Sequence, residues 1–292
     1  HVRLYKSFGK FNFEYFHGSI LDKSIDEIHN ENKKSEKFIA GHRVKYEISN
    51  NIHASISELV TYGNRSPELG YMNPVSFFWA QEHNLGDLDN VFIAADIGYR
   101  ILPGCVIYNT LLLDELSWKD LFNDWWGNKF SNQFGLFLSF ENMSLPDLRI
   151  EYTVTRPWTY THPDFSYSHR QQPLGASHGP ASKVFLIESF YLPSSRMIIY
   201  GAFEHAQKGV GKGSGLFDNY DTRNKDNDWN TEFLLEDKTY SNKYKLNFQY
   251  LLSINLNFRT TIVINNNEYF SNISEKLKRT EKTFIVGLDF NL

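Results

Sequence analysis

The sequence predicts an all-β fold, an antiparallel transmembrane β-barrel of the outer-membrane type, with short helices and long loops that plug or cap it. Aromatic residues make up 16% of the 292 residues, yet the mean hydropathy is only −0.45. Segments of about ten residues alternate polar and apolar side chains, as strands with one wet and one apolar face do. Short turn signals also alternate along the chain with long polar stretches, which is typical of such barrels.

The strands are predicted from these alternating segments. Residues 2–20 alternate around Phe11, Phe13 and Tyr15, and Pro103-Gly104 marks a tight turn between two later segments. The other predicted strands are 38–48, 52–62, 91–100, 105–113, 130–140, 148–155, 184–192, 197–205, 240–256, 258–266 and 283–292. Together they make roughly twelve to fourteen strands. A large β-sandwich is the soluble alternative, but Phe, Tyr and Leu recur on one face of nearly every segment, which favours the barrel.

Two short helices are expected in the connections. Residues 75–83 follow Pro74, which is favoured at the first helical position. Residues 114–128 form an amphipathic pattern with Ser117 as the N-cap. The Trp-rich face of this second segment fits either a membrane interface or a plug in the barrel mouth.

Composition excludes several classes of protein. The net charge of −4 and the lack of long basic runs make nucleic acid an unexpected partner. Cys105 is the single cysteine, so no internal disulfide forms, and no run of 18 apolar residues predicts a transmembrane helix. Because the chain starts at His1 in strand-like sequence, without Met or a signal peptide, we expect a trimmed N-terminus. We predict one barrel domain over residues 1–292, with missing N-terminal strands as an alternative.

Residues 149–182 hold the most unusual segment. The alternation stops at Arg156-Pro157, and about 25 residues rich in Trp, Tyr, His, Gln and Gly follow before the next strand. Prolines at this density exclude helix and central strand. A long, aromatic, ordered loop between two strands is often functional. Its three histidines have spacings that match no usual metal-ligand pattern.

The remaining motifs do not predict catalysis. The Gly-rich GVGKGSG segment lacks the spacing and context of a phosphate loop, and the Asp-rich segment after it lacks the glycine of an EF-hand loop. Paired carboxylates occur at Asp87/Asp89 and Asp114/Glu115, but no Ser, His and Asp constellation accompanies them. We therefore expect no enzymatic activity, no cofactor and no metal.

Several segments resemble the capsule assembly protein Wzi family of outer-membrane β-barrels. They run in the family's order over residues 42–182, and beyond residue 182 the resemblance is general barrel character. The segments are HRVKYEI, ELVTYGNR, GYMNPVSFFWAQEHNLGDLDNVFIAADIGYRILPG, YNTLLLDEL, YTVTRPWTYTH and QQPLGASHGPAS. The chain is short for this family. The resemblance implies a lectin-like protein of the cell outer membrane that binds surface polysaccharide, with outer-membrane lipid and other outer-membrane proteins as further partners.

The loop chemistry agrees with sugar binding, in which aromatic faces stack on C–H surfaces and polar side chains bond the hydroxyls. The candidate glycan contacts are Arg156, Trp158, Tyr160, His162, Tyr167, His169 and Gln171. Internal packing of a plug is the alternative for each of them. A second set is expected to form buried hydrogen-bond networks inside the barrel: Tyr71, Asn73, Glu82, His83, Asp89, Asn90, Asp96, Asp114 and Glu115.

Two other functions stay open at this point. The chain could be a structural barrel subunit of a larger outer-membrane complex, with its loops as a protein interface. It could also be a passive, porin-like channel, although a filled interior would oppose that function.

Overall fold

The structure is a computed structural model that describes residues 1–21, 36–120, 123–140, 145–229, 231–235, 237–253, 256–270 and 277–290. Strands dominate the described residues. They are β1 (Val2–Phe8), β2 (Phe11–Ile20), β3 (Lys37–Glu47), β4 (Ile52–Gly63), β5 (Asn90–Leu102), β6 (Cys105–Glu115), β7 (Lys129–Leu138), β8 (Asp147–Thr155), β9 (Ser168–His169), β10 (Gln172–Pro173), β11 (Ser182–Ser194), β12 (Met197–Val210), β13 (Asp237–Ser253), β14 (Leu256–Phe270) and β15 (Leu277–Phe290).

Thirteen of these strands form one sheet in chain order, in which every strand pairs antiparallel with its sequence neighbours. The two-residue strands β9 and β10 form a separate small hairpin between β8 and β11. The predicted all-β, antiparallel architecture is therefore confirmed, and the thirteen strands of the main sheet among the described residues fall within the predicted twelve to fourteen.

The inward face of the sheet is the one covered by residues 156–181, which connect β8 to β11 and are called the aromatic loop below. Polar side chains occupy this face and bond across the strands. Arg43 contacts Asp96 at 2.5 Å, and Asn247 donates to Thr261 at 2.7 Å. Glu188 accepts from both Arg149 and Tyr200.

The outward face is apolar and exposed over most of its length. Ile262 pairs with Leu246 on one side and with Phe284 on the other, and Phe134 pairs with Tyr152. Directly paired residues point to the same side of a sheet. An apolar outer band around a polar interior is the arrangement of a transmembrane β-barrel.

The connections differ sharply between the two ends of the sheet. At one end they are short, at residues 9–10, 48–51, 103–104, 195–196 and 254–255. At the other end they are longer, at residues 21–36, 64–89, 116–128, 156–181, 211–236 and 271–276. The connection at residues 139–146 belongs to the first end, where the Ser139 N–H donates to the Gly104 carbonyl at 2.7 Å. We call this second end the long-loop end. Short turns at one end and long loops at the other are typical of outer-membrane barrels.

Residues 64–89, called the helical insertion below, connect β4 to β5 and carry two helices, α1 (Leu69–Met72) and α2 (Phe78–Asn84). The insertion packs Tyr71 and Phe78 against Val60, Tyr62 and their neighbours on the outward face of the sheet. The predicted helix at residues 75–83 is present but starts three residues later, because Pro74 lies in the turn between α1 and α2.

The prediction of an amphipathic helix at residues 114–128 is wrong. Strand β6 continues to Glu115, and a single 3₁₀ turn follows at Trp118–Asp120. Ser117 precedes this turn, but its hydroxyl donates to the Asp120 carboxylate at 2.6 Å, so it does not accept a backbone N–H as the predicted N-cap would. Asn128 then accepts from the Ser117 N–H at 2.9 Å, which folds the connection back toward β7. In the part of the chain that the structure describes, no helix is long and apolar enough to cross a membrane.

Candidate functional site

The aromatic loop is fixed by its own backbone geometry. Trp158 and Tyr160 have positive φ angles of 65° and 74°, a region that non-glycine residues rarely adopt. External partners stabilise both: the Trp158 N–H donates to Gly213 at 2.8 Å, and the Tyr160 N–H donates to the Asp114 carboxylate at 2.6 Å. Gly213 itself lies under the Trp158 indole, where a Cβ atom would approach the ring to 2.6 Å. The loop is therefore held in one shape from several sides.

Aromatic side chains of the loop fill the space above the inward face. The Tyr167 ring lies 4.6 Å from Phe92 and 5.8 Å from Tyr160, and all three side chains are buried. Burial raises the pKa of both tyrosines above its usual range. Leu112 completes the cluster from β6. The loop is a packed plug over these strands.

Two lysines, Lys37 buried and Lys208 half-buried, bind backbone carbonyls of the loop. Lys37, on β3, donates to the carbonyl oxygens of Ser166 at 2.5 Å and Ser168 at 3.2 Å. Lys208, on β12, donates to His178 at 2.8 Å and also to Pro180. These contacts tie the middle and the C-terminal end of the loop to strands that are far apart in the sheet.

The seven predicted glycan contacts therefore have unequal access to a ligand. Five are buried, namely Arg156, Trp158, Tyr160, His162 and Tyr167, whereas His169 is half-buried and Gln171 is exposed. Burial lowers the pKa of Arg156, whereas an ion pair with a carboxylate would raise it. Packing accounts for the buried aromatic side chains, and sugar contact by members of this set stays a prediction.

A pocket of about 530 Å³ opens beside the plug at the long-loop end, and we call it the rim pocket. The helical insertion, the β6–β7 connection, the aromatic loop and the β12–β13 connection each supply part of its wall. Trp79 and Trp118 give it two exposed indole rings, 49% and 79% accessible. The Trp79 ring is itself supported by His83, 4.2 Å away.

Lys129 is the cation at the base of the rim pocket. Its ammonium nitrogen lies 3.0 Å from the Glu115 carboxylate and 3.5 Å from that of Asp114, which is also buried. The ammonium also sits 4.6 Å from the Tyr220 ring centre and 5.6 Å from that of Trp126. Cation–π contact and two carboxylates together compensate for burying the charge.

His162 brings the aromatic loop into the rim pocket. Its Nδ1 accepts the backbone N–H groups of Asp164 at 3.2 Å and Phe165 at 3.3 Å, so Nε2 carries the proton. Burial and the charges of Lys129 and Lys37 lower the pKa of His162 to about 3. The imidazole is therefore a neutral N–H donor at physiological pH.

Glu82 is the carboxyl group of α2 that faces the rim pocket. Burial, and the nearby charges of Asp87 and Asp89, raise the pKa of Glu82 to about 8, while the Val91 N–H that it accepts acts the other way. At pH 7 this carboxyl group is mostly protonated and can donate a hydrogen bond. Glu82, His83 and Asp87 also offer ligand atoms within 4.8 Å of one another that could hold a metal ion, but exposed groups of this kind are common without one.

The predicted interior network is divided between the two faces of the sheet. Asp96 and Asn90 belong to the inward face, where Asn90 donates to the Phe165 carbonyl at 3.0 Å. Tyr71 and Asp89 instead lie on the outward face, where Tyr71 donates to Asp89 at 2.7 Å and Arg65 pairs with it. The expectation that all of these residues lie inside the barrel is therefore wrong for that pair, because the helical insertion folds over the outer surface.

The other members of that predicted network lie near the long-loop end. Asn73 accepts the Val75 N–H at 3.2 Å within the insertion, and Glu82, His83, Asp114 and Glu115 line the rim pocket. Sequence reasoning assigned no pocket role to Trp79, Lys129 or Tyr220. Trp79 and Tyr220 come from two different connections and Lys129 from the start of β7. The signal for the two aromatic residues is an unusual density of Trp and Tyr outside the strands, and Lys129 has no such signal.

A further cavity of about 390 Å³ lies against the inward strands beneath the aromatic loop. Tyr160 and Ala176 bound it from the loop, and Gln133, Glu151 and Glu204 bound it from the strands. The plug therefore covers these strands without filling the space beneath it completely.

No protein-family model matches this chain, and a search of curated proteins finds no significant relative. Among solved structures, the chain is similar to Wzi of Escherichia coli, an outer-membrane protein involved in group 1 capsule assembly and a carbohydrate-binding β-barrel. The sequence identity is 11% and the TM-score 0.56, and the match covers 97% of this chain and 56% of Wzi. The monoaromatic hydrocarbon channel CymD matches at 8% identity and a TM-score of 0.39, covering 99% of this chain and 81% of CymD. The chain thus spans little more than half the length of Wzi, and it has the fold of an outer-membrane β-barrel.

Proposed function

We propose that the protein lies in the cell outer membrane and binds surface polysaccharide, as a lectin-like barrel without catalytic activity. The observation that carries this proposal is the rim pocket, in which two exposed indoles face hydrogen-bonding groups at the long-loop end. Long loops of outer-membrane barrels face the outside of the cell. The fold shared with Wzi, itself a carbohydrate-binding barrel, is consistent with the proposal.

The pocket offers the two kinds of contact that a sugar needs. Trp79 and Trp118 can stack on the C–H face of a pyranose ring. Lys129, the Nε2–H of His162 and the protonated Glu82 can donate to ring and hydroxyl oxygens, while Glu115 can accept from hydroxyl groups. We propose that His162 is the residue of the aromatic loop that contacts glycan directly, and that its buried neighbours hold it in place.

The charge of the pocket indicates which glycans fit. Asp87, Asp89, Asp114 and Glu115 line it together with the ammonium group of Lys129. Because carboxylates outnumber the cations among the lining residues, we propose a neutral or basic sugar segment as the ligand at this pocket. An acidic polysaccharide would have to present an uncharged residue there.

The covered inward face supports binding rather than open passage. A porin-like channel needs a continuous wet lumen, whereas the aromatic loop spans the described part of the inward face between β3 and β12. The alternative of a structural subunit is an outcome of the test below.

The test is retention of polysaccharide on cells that carry a Trp79→Ala and Trp118→Ala double variant. We expect these cells to shed polysaccharide into the medium while the barrel still inserts, as judged by its resistance to denaturation before heating. Trp229→Ala is the matched control, because Trp229 is 56% exposed but does not line the pocket. Full retention by the double variant would favour the structural-subunit role.

A further inference from the structure

The helical insertion exposes a set of large apolar side chains beside its packed ones. Tyr71 and Phe78 are completely buried against the sheet, whereas Leu69, Val75 and Phe77 are 79%, 82% and 58% exposed. Exposed clusters of this kind mark surfaces that meet a protein or a membrane.

Charge is missing from the same segment. Residues 69–80 read LGYMNPVSFFWA, without Asp, Glu, Lys or Arg. A surface segment that meets water or a polar partner usually carries charged residues. This composition fits an apolar medium, with the Trp79 indole at its edge, as aromatic residues are found at membrane interfaces.

The insertion also lies directly above the outward apolar band. The Phe78 N–H donates to Glu58 on β4 at 3.0 Å, and the Tyr71 carbonyl accepts from Tyr15 on β2 at 3.0 Å. The next outward residue of β4 is Ile56, which is 57% exposed and lies roughly 7 Å farther along the strand. The exposed apolar residues of the insertion and the apolar band therefore form one continuous surface.

The packing beneath the insertion also indicates that this surface faces lipid. Glu58 pairs with His42 at 2.9 Å on the outward face, and both side chains are mostly buried. A carboxylate facing lipid is unfavourable. The Phe78 ring, 4.4 Å from that of His42, covers the pair, as expected where the polar end of the barrel meets its lipid-facing band.

We propose that the helical insertion is a lipid-contacting anchor. Its exposed apolar side chains Leu69, Met72, Val75 and Phe77 enter the boundary between headgroups and acyl chains of the outer leaflet. This proposal rests on the membrane location proposed above, although it is independent of glycan binding. The anchor fixes the height and tilt of the barrel and places the rim pocket just above the membrane surface.

The test uses single cysteines in a Cys105→Ser background, labelled with the fluorophore NBD and reconstituted in phosphatidylcholine vesicles. The sites are Val75→Cys for the anchor, Ile56→Cys for the lipid-facing band and Ser177→Cys for the exposed part of the aromatic loop. Doxyl-labelled lipid quenches a label in the bilayer, and iodide quenches a label in water. We expect lipid quenching and a blue-shifted emission at positions 75 and 56, with iodide quenching at position 177.

The outcomes separate the two proposals. If position 56 is quenched by lipid but position 75 by iodide, the anchor proposal is overturned and the membrane location stands. If position 75 is protected from both quenchers, a protein surface covers the insertion, which also overturns the anchor. If position 56 itself is quenched by iodide alone, the membrane location fails, and the anchor fails with it.

Discussion

Among single residues, Lys129 both stabilises the fold through its ion pairs and lines the rim pocket. It is buried between the Asp114 and Glu115 carboxylates, and its removal would leave Asp114 as a buried charge without its cation. Lys129→Met should therefore lower the free energy of unfolding by about 3 to 5 kcal/mol. Urea titration of the vesicle-bound protein measures this change.

Lys245→Met is the matched control for that substitution. Lys245 is exposed, and within the described residues its ammonium group contacts the Tyr200 ring, 5.4 Å from the ring centre. Its loss should change the unfolding free energy by less than about 1 kcal/mol. Adding Asp114→Asn to Lys129→Met should restore part of the lost stability, and an unchanged deficit would contradict the charge-pair argument.

Glu82 gives the helical insertion a pH dependence. Its pKa is raised from 4.5 to about 8 in the folded protein, so its contribution to stability is complete below pH 4.5 and is lost as the pH rises through 8. Hydrogen exchange of α2, corrected for the intrinsic rate, should show protection falling between pH 5 and pH 9. Glu82→Gln should abolish this fall, and an equal fall in that variant would mean that another group is responsible.

The acidity of the rim pocket can be tested with salt. Repulsion between the pocket carboxylates and an acidic glycan is screened as ionic strength rises. Binding of an acidic polysaccharide fragment should therefore strengthen from 0.05 M to 0.5 M sodium chloride, while binding of a neutral fragment stays constant. Weaker binding of the acidic fragment at high salt would indicate that cations dominate the site.

At the scale of elements, the strands were predictable from the sequence and the connections were not. Alternation alone places the hairpins, because each strand has one face in a polar interior and the other on the apolar band. The connection after β6 misled this reasoning. Its Trp and Leu spacing imitates a helix, but Asn128 and Asp120 form a compact turn through side-chain bonds that have no periodic signature.

The aromatic loop shows the same limit for the site. Its density of Trp, Tyr and His indicated an ordered segment. No sequence pattern, however, distinguishes an aromatic ring that packs in the interior from one that is exposed and can bind a ligand. Burial of Trp158 and exposure of Trp118 depend on contacts with residues far away in sequence, such as Gly213. Only the assembled fold separates them.

Removing the packed rings should loosen the plug. Trp158→Ala removes the indole that packs on Gly213, and Tyr160→Ala leaves a cavity in the cluster around Phe92 and Tyr167. Such deletions typically cost about 3 to 5 kcal/mol each in a protein core. We expect the barrel to insert, to conduct ions in planar bilayers more than the wild-type protein, and to release surface polysaccharide. Trp229→Ala should leave conductance unchanged, and a double variant as closed as wild type would show that the loop does not plug the barrel.

For the whole molecule, the difference in loop length between the two ends of the sheet predicts the orientation of the barrel in the outer membrane. Lys119 lies in the β6–β7 connection at the long-loop end and Ser195 in a short turn, and both are exposed. In a Cys105→Ser background, a membrane-impermeant maleimide should label Lys119→Cys on intact cells and Ser195→Cys only after the outer membrane is opened. The reverse pattern would place the rim pocket on the periplasmic side.

Direct titration tests whether the rim pocket binds glycan. The purified protein in detergent is titrated with polysaccharide fragments from the surface of its own source, with Trp fluorescence as the readout. We predict saturable quenching of the Trp fluorescence of the wild-type protein and of Trp229→Ala. The affinity of Trp118→Ala for the fragments should be weaker by roughly tenfold, because one stacking contact is lost. No saturable binding, or equal affinity in Trp118→Ala, would contradict this account of the pocket.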